Sequence, residues 1–109
     1  MAYDENLADR VRTILEVEPS LSERKMFGGL AFMVDGHMCC GIVGSDLMLR
    51  LGPAGAEAAL ALSHVRSMDF TGRLMTSMVY VAPEGLRGVA LRRWVEKATA
   101  FARTLPPKR

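Results

Sequence analysis

The run His37-Met38-Cys39-Cys40 holds the side chains best suited to metal binding or nucleophilic chemistry. In a strand, the two-residue period puts His37 and Cys39 on one face and turns Cys40 to the other. Only two ligands would then meet a metal, whereas structural zinc takes about four, and the other histidine, His64, lies in a separate segment. A thiolate nucleophile needs a base and a cationic neighbour, which the sequence does not fix. We therefore predict no metal, no cofactor and two reduced thiols in a sheet core.

A second group of candidates is basic. Arg73 follows Gly72 in a short loop, where its guanidinium could pair with a carboxylate or phosphate ligand. The same guanidinium could instead bind backbone carbonyls of its own loop. If the chain binds a small ligand, we expect Arg73 at that site and Lys25 as its companion.

Carboxylates and glycines do not point to catalysis. Asp35 and Asp46 belong to turns, Asp69 to a strand and Glu84 to a helix start, so each has a local structural role. No two of them are placed across a pocket by their spacing, and no serine has the Gly-x-Ser-x-Gly setting. The pair Gly28-Gly29 precedes no helix and no Lys-Ser/Thr pair, so it predicts a bulge or sharp bend rather than a phosphate loop. We predict no catalytic residue.

Charge is concentrated at the end of the chain. Residues 87–109 carry seven basic side chains against Glu96 alone, although the formal net charge of the whole chain is only +2. Such a helix could meet phosphate or an acidic partner, or could simply solubilise its outer face. The candidate phosphate contacts are Arg87, Arg92, Arg93, Lys97 and Arg103.

Length and composition indicate one globular domain over residues 1–109. The chain has 109 residues, of which 50% are hydrophobic and 24% are charged, a balance that can bury a core. No apolar run reaches the roughly 18 residues of a membrane helix, and the acidic N-terminus is unlike a secretory signal. We expect a cytoplasmic protein without a membrane segment and with a disordered tail at residues 106–109.

The apolar periodicity predicts an α+β two-layer sandwich in the order α-β-β-β-α-β-β-α, with a five-stranded antiparallel sheet packed by helices. Asp35-Gly36 supplies a two-residue hairpin turn that places Val34 opposite His37, Met33 opposite Met38 and Phe32 opposite Cys39. The predicted elements are a capped first helix that Pro19 ends, strands at 26–34, 37–43, 47–51, 65–70 and 78–81, a helix at 54–62, and a last helix built on Leu91, Trp94, Val95, Ala98, Phe101, Ala102 and Leu105.

Both faces of the first predicted strand are apolar. Leu30, Phe32 and Val34 point one way, while Ala31 and Met33 point the other. If helices cover a single face, the second face stays partly apolar, and its methionines suit adaptable core packing more than soft-metal binding. This pattern predicts a homodimer.

Six short stretches, taken together, resemble the N-terminal domain of TfoX/Sxy proteins. They are Lys25-Met26-Phe27-Gly28-Gly29 followed by Phe32-Met33-Val34-Asp35-Gly36; Phe70-Thr71-Gly72-Arg73-Leu74-Met75; and Val79-Tyr80-Val81-Ala82-Pro83-Glu84 with Leu91-Arg92-Arg93-Trp94 and Leu105-Pro106-Pro107-Lys108. The resemblance lies in their order and spacing and spans nearly the whole chain. Leu74 stands where the family commonly has proline, which predicts a less rigid loop.

The resemblance implies an α+β fold, a bacterial source and a place among regulators of natural competence and transcription. It does not imply an enzyme. Longer family members add a helical C-terminal domain, which these 109 residues do not contain. It assigns structural roles to Met26, Phe27, Gly28, Gly29, Asp35, Gly36, Gly72 and Trp94.

We therefore expect a non-enzymatic regulatory or interaction module that binds a protein of a transcription or competence pathway. Two alternatives stay open: a DNA-binding accessory protein that uses Arg92, Arg93 and Lys97, and a small-ligand protein with its site at Arg73.

Overall fold

A computed structural model describes residues 3–26, 28–70 and 73–106. Three helices, one 3₁₀ turn and six strands make up these residues. Their order is α1 (Glu5–Leu15), β1 (Leu21–Met26), β2 (Gly29–Val34), β3 (His37–Val43), β4 (Asp46–Arg50), α2 (Gly52–Ala59), β5 (Val65–Phe70), β6 (Arg73–Val81), the 3₁₀ turn (Pro83–Gly85) and α3 (Val89–Arg103). No helix in the described part of the chain is long and apolar enough to cross a membrane.

The strands form one antiparallel sheet in the order β1-β2-β3-β4-β6-β5. The predicted α+β class and antiparallel sheet are confirmed, but the sheet has six strands rather than five. The additional strand is β1, whose four central residues are all exposed. An edge strand that is polar on both faces shows no hydrophobic alternation, so the sequence pattern could not reveal it.

Gly28 explains why the predicted strand 26–34 is in fact two strands. Its φ is +74°, a left-handed conformation that glycine adopts without strain, and it turns the chain from β1 into β2. Of the motif residues, Met26 therefore ends β1 and Gly29 begins β2. Phe27 lies outside the described residues, as does Gly72.

The β2–β3 hairpin has the predicted turn but not the whole predicted register. Asp35 and Gly36 both have positive φ, at +53° and +81°, as a type I′ turn requires. Val34 pairs with His37, and Met33 pairs with Met38, as expected. The prediction that Phe32 pairs with Cys39 is wrong, because a register shift at Phe32/Met33 moves the partner of Phe32 to Cys40.

The predicted first helix is confirmed, including its cap. The backbone N–H of Leu7 donates to Asp4 Oδ1 at 3.1 Å, which satisfies one of the free donors at the helix start. Leu7, Val11 and Leu15 are buried along one stripe. At the far side of the sheet, the boundaries differ more: α2 ends at Ala59 rather than at 62, and β6 begins at Arg73 rather than at 78.

All three helices bury residues in the same core on one face of the sheet. A row of paired residues crosses that face through five strands: Leu30, Ile42, Leu47, Val81 and Val65. Every member of the row is at most 8% exposed. These large aliphatic side chains thus hold the helices to the sheet, because packing removes their apolar surface from water.

The opposite face carries a methionine cluster. It consists of Met48, Met68 and Met78, with Met38 and Tyr80 packed against it. The three central methionines are at most 5% exposed, whereas Met38 and Tyr80 are half-buried. Unbranched thioether side chains fill an irregular surface of this kind well. Only the margin of the cluster therefore meets solvent.

Candidate functional site

The structure brings together three of the predicted basic residues, Arg87, Arg93 and Lys97, around a cavity that Trp94 also lines. Arg92 is exposed on α3 but does not line the cavity. Lys25 is exposed on the edge strand β1 and is not part of this group. Arg73 begins the backbone of β6, but its side chain lies outside the described residues, so the expected ligand site at Arg73 stays a prediction.

The cavity beside these residues is the larger part of a groove that runs along α3. It has a volume of about 710 Å³. A second cavity of about 480 Å³ adjoins it, and the two share Leu62, Trp94, Lys97 and Ala100. We call the two together the α2–α3 groove. It follows α3 from Val89 to Ala100. Opposite α3, the larger cavity is bounded by Leu62, His64 and the 3₁₀ turn, and the smaller cavity is bounded by α2.

Trp94 forms the floor of the groove and is held in place from two sides. Its Nε1–H donates to the carbonyl oxygen of Gly85 at 3.2 Å. The ring of His64 stands edge-on to the indole, with centroids 6.5 Å apart and planes at 81°. Only 7% of Trp94 is exposed, which agrees with its predicted place in the helix–sheet core. The indole is therefore a fixed aromatic surface at the base of the groove.

The rim of the groove is charged and mostly cationic. Arg87, Arg93 and Lys97 line it together with Glu84 and Glu96. The Lys97 ammonium lies 5.2 Å from the centroid of the Trp94 ring, within reach of a cation–π interaction. Within the described residues, none of the five makes an ion pair. Their charges are thus available to a molecule that enters the groove.

Two other basic residues, Arg103 of α3 and Arg66 of β5, already have partners. Arg103, one of the expected phosphate contacts, pairs with Glu18, and this hydrogen bond raises the pKa of Arg103. Arg66 donates to Asp46 at 2.7 Å and lies 4.7 Å from the ring centroid of Tyr80, so it is not an isolated cation. The hydrogen bond to Asp46 is the main reason that the pKa of Arg66 is raised.

Both cysteines lie in the core below α3. The sequence placed Cys40 on the opposite face from Cys39, which is wrong: the register shift lets both thiols join the helix-side core. They are free thiols with no exposed surface, and Cys39 Sγ lies 3.5 Å from Thr99 Oγ1. Hydrogen bonding between the thiols lowers the pKa of Cys39 and, together with burial, raises the pKa of Cys40.

His37 connects the β2–β3 hairpin to Pro106, which follows α3. Its Nε2 lies 2.5 Å from the carbonyl oxygen of Pro106, and because a carbonyl only accepts, Nε2 carries the proton. Its Nδ1 is buried and has no hydrogen-bond partner among the residues that the structure describes. Among the residues that the structure describes, no three histidine, cysteine or acidic side chains are grouped closely enough to hold a metal ion.

The groove could not be predicted from the sequence, because the residues that line it form no recognisable motif. Leu62 and Val89 are ordinary apolar residues in the sequence. The position of His64 beside Gly85 and Trp94 is visible only in the structure. One signal was present: the alanine-rich stretch of α2 predicts close packing on a sheet or partner. Gly55, which has no side chain, and the methyl groups of Ala58 and Ala59 leave room along the wall of the smaller cavity.

The comparison with protein-family models identifies this fold. The model of the TfoX N-terminal domain matches residues 14–102, a stretch that runs from the end of α1 to the end of α3. No curated protein and no solved structure gives a significant match. The match covers most of the chain, includes the groove and confirms the resemblance carried by the sequence motifs. The chain therefore belongs to the TfoX N-terminal domain family.

Proposed function

We propose that this chain is a non-enzymatic regulatory module that acts by binding another protein in the α2–α3 groove. The observation that carries the proposal is the distribution of exposed apolar side chains. Four large hydrophobic residues are exposed in the described part of the chain: Val17, Leu60, Leu62 and Val89. Two of them, Leu62 and Val89, line the groove, whereas Leu60 lines a separate cavity with Pro53 and Met78. Exposed apolar side chains beside a concave site are typical of a docking site.

Membership of the TfoX N-terminal domain family supports a competence-regulator-like role. The arrangement of polar groups also favours binding over catalysis. Asp35 is hydrogen-bonded to Ser20, and Asp46 is paired with Arg66. The thiol of Cys39 has no exposed surface and so offers no nucleophile to a substrate.

We further propose that the module works in the bacterial cytoplasm. Its two cysteines are free thiols, although they are neighbours in the sequence. Reduced cysteines are the normal state in that compartment.

The test of the proposed function is a genetic one. The gene is deleted in the source organism and replaced by wild type, by Val89→Asp or by Val17→Asp, and transcript levels are compared. Val89 and Val17 are both exposed valines, at 67% and 77%, but only Val89 lines the groove, so Val17→Asp is the matched control.

We expect the deletion to change the transcript profile, wild type and Val17→Asp to restore it, and Val89→Asp to fail at equal protein abundance. Full restoration by Val89→Asp would contradict a role for the groove. A deletion without any transcriptional effect would contradict the regulatory role.

Duplex DNA is the second candidate partner, because Arg87, Arg92, Arg93 and Lys97 are exposed on or next to α3 without an ion pair among the described residues. Phosphate contacts of this type give binding that weakens steeply with salt. Anisotropy of a labelled mixed-sequence duplex should then fall with salt and with the double substitution Arg92→Glu/Arg93→Glu. Affinity that neither change alters would exclude this candidate.

A further inference from the structure

We infer that the partner presents an acidic amphipathic helix to the α2–α3 groove; this inference rests on the proposed function and specifies the chemistry of the partner. The groove follows α3 from Val89 to Ala100, which at 1.5 Å per residue is about 16 Å. That length is three helical turns. It accommodates apolar side chains at positions i, i+4 and i+7 of a bound helix.

The wall formed by α2 favours a helix rather than a bulkier or flat surface. Gly55, Ala58 and Ala59 line the smaller cavity of the groove, and because glycine has no side chain and alanine only a methyl group, another backbone can come close there. Leu62 stands at the junction of the two cavities as an apolar contact that is 45% exposed. A helix that lies along α3 would bury Leu62 and Val89 together.

Trp94 supplies the centre of the binding surface. The indole is nearly buried and is fixed by Gly85 and His64, so a ligand gains contact with it at little cost in side-chain entropy. Interfaces concentrate their binding energy at such fixed aromatic residues, which are surrounded by groups that exclude water.

The excess of positive charge at the rim of the groove favours a negatively charged partner. Three cations, Arg87, Arg93 and Lys97, outnumber Glu84 and Glu96, and none of them is neutralised by another described residue. Carboxylates beside the apolar stripe of the partner would meet these cations, whereas lysines there would be repelled. Rim charges of this kind speed association and exclude partners of the wrong sign.

The experiment uses two synthetic peptides and the intrinsic fluorescence of the protein. Each peptide has about four to five turns, leucines at i, i+4 and i+7, and no tryptophan; one carries glutamates beside the leucines, and the other carries lysines at the same positions. Trp94 is the single tryptophan of the chain and lies in the groove, so its emission reports occupancy directly.

We expect the acidic peptide to change the Trp94 emission saturably, with a dissociation constant on the order of micromolar to tens of micromolar, as for a small helix-in-groove contact. Arg93→Glu/Lys97→Glu should weaken that binding at least tenfold and strengthen binding of the basic peptide. Arg92→Glu is the matched control, since Arg92 is exposed on α3 but does not line the groove. Circular dichroism verifies that each variant is folded.

Absence of a saturable signal with the acidic peptide would overturn the inference, and so would equal binding of the two peptides. If in addition Val89→Asp restores the transcript profile, the proposed function fails as well. Binding of the basic peptide alone would retain the groove as a docking site but reverse the chemistry of the partner.

Two further outcomes would contradict the inference by identifying a different occupant of the groove. A Trp94 signal that follows the concentration of the protein itself, in parallel with its mass, would make a second copy of the chain the occupant. Displacement of the acidic peptide by duplex DNA at low salt, lost with Arg92→Glu, would assign the surface to nucleic acid.

Discussion

The backbone of Gly85 lies between Trp94 and His64 so closely that no side chain fits there. Its carbonyl oxygen accepts the indole hydrogen bond at 3.2 Å, and a Cβ on Gly85 would lie 2.0 Å from Cδ2 of His64. Gly85 thus connects the 3₁₀ turn to the floor of the groove. The position of Trp94 depends on it.

Replacement of Gly85 by alanine should displace the His64 ring and strain the Trp94 contact. We expect a loss of about 1 to 3 kcal/mol in the free energy of unfolding, the range for overpacking a core. Urea unfolding followed by circular dichroism measures the loss, and Trp94 emission reports the local change. In His64→Ala/Gly85→Ala the ring is gone, so much of the loss should be recovered. Strictly additive effects of the two substitutions would contradict this steric account.

Gly29→Ala should be far more disruptive. Here a Cβ would lie 1.9 Å from the carbonyl oxygen of Ile42 and 3.0 Å from its carbon, and a backbone cannot move aside as a side chain can. We expect a loss of more than about 3 kcal/mol, seen as a lower urea midpoint or failure to fold.

Gly28→Ala is the natural comparison for Gly29→Ala. At Gly28 nothing lies within 4 Å of a Cβ, and the cost comes only from its φ of +74°, about 1 to 2 kcal/mol. If Gly28→Ala proves as damaging as Gly29→Ala, the close approach of β2 to β3 is not the decisive factor.

Glu23 gives the fold a small dependence on pH. Its carboxylate accepts two hydrogen bonds from Arg12, at 2.8 and 2.9 Å, and joins α1 to the edge strand β1. The hydrogen bond from Arg12 lowers the pKa of Glu23 in the folded chain. The folded state therefore holds this proton less tightly than the unfolded state, so the stabilisation is complete above the unfolded pKa and disappears as the pH falls through the folded pKa.

Glu23→Gln should accordingly lower the free energy of unfolding by about 0.5 kcal/mol at neutral pH and leave it unchanged in strong acid. The effect is small because both partners of the ion pair are partly exposed. Chemical unfolding at a series of pH values measures the difference. The comparison variant is Glu16→Gln, which removes an exposed carboxylate with no ion pair among the described residues. A Glu23→Gln effect that does not change with pH would indicate a packing role instead.

We expect the chain to form a homodimer through the sheet face that carries the methionine cluster, with Met38 and Tyr80 at the contact. All three helices bury residues on the other face of the sheet, and Met38 and Tyr80 are half-buried at the margin of the cluster. Light scattering on the reduced protein at low and moderate salt should give a dimer mass that mixed duplex DNA does not change. Met38→Glu should return the mass to that of a monomer, and Val89→Asp should not.

A monomer at micromolar protein would contradict the dimer. A mass that rises with DNA only at low salt would favour the second candidate partner instead.

Much of the helix-side architecture could be read from the sequence, because burial there follows regular periods. The stripe of α1, the Asp35-Gly36 turn and the buried face of α3 all appear as predicted. Strand β1 could not be predicted from the sequence, because its four central residues are all exposed and show no hydrophobic alternation. The pairing of Phe32 with Cys40 depends on a bulge, and a bulge leaves no mark in the two-residue alternation.

For the candidate site, the sequence pointed to Arg93, Lys97 and Trp94 but not to what they surround. The groove exists because Leu62, from the loop after α2, and Val89, from the start of α3, come together in space. Such long-range proximity follows from tertiary packing and not from spacing along the chain.

The strand order also determines how the sheet can assemble during folding. Four of the five strand pairings join neighbours in sequence, three in the β1-β2-β3-β4 meander and one in the β5–β6 hairpin, so most pairings close short loops. The exception is the pairing of β4 with β6, in which Arg50 meets Met78 across α2 and β5. We expect the four-strand meander and the hairpin to form first and their union to be rate-limiting, so substitutions at the β4–β6 seam should slow folding more than those at the β1–β2 hairpin, as stopped-flow kinetics would show.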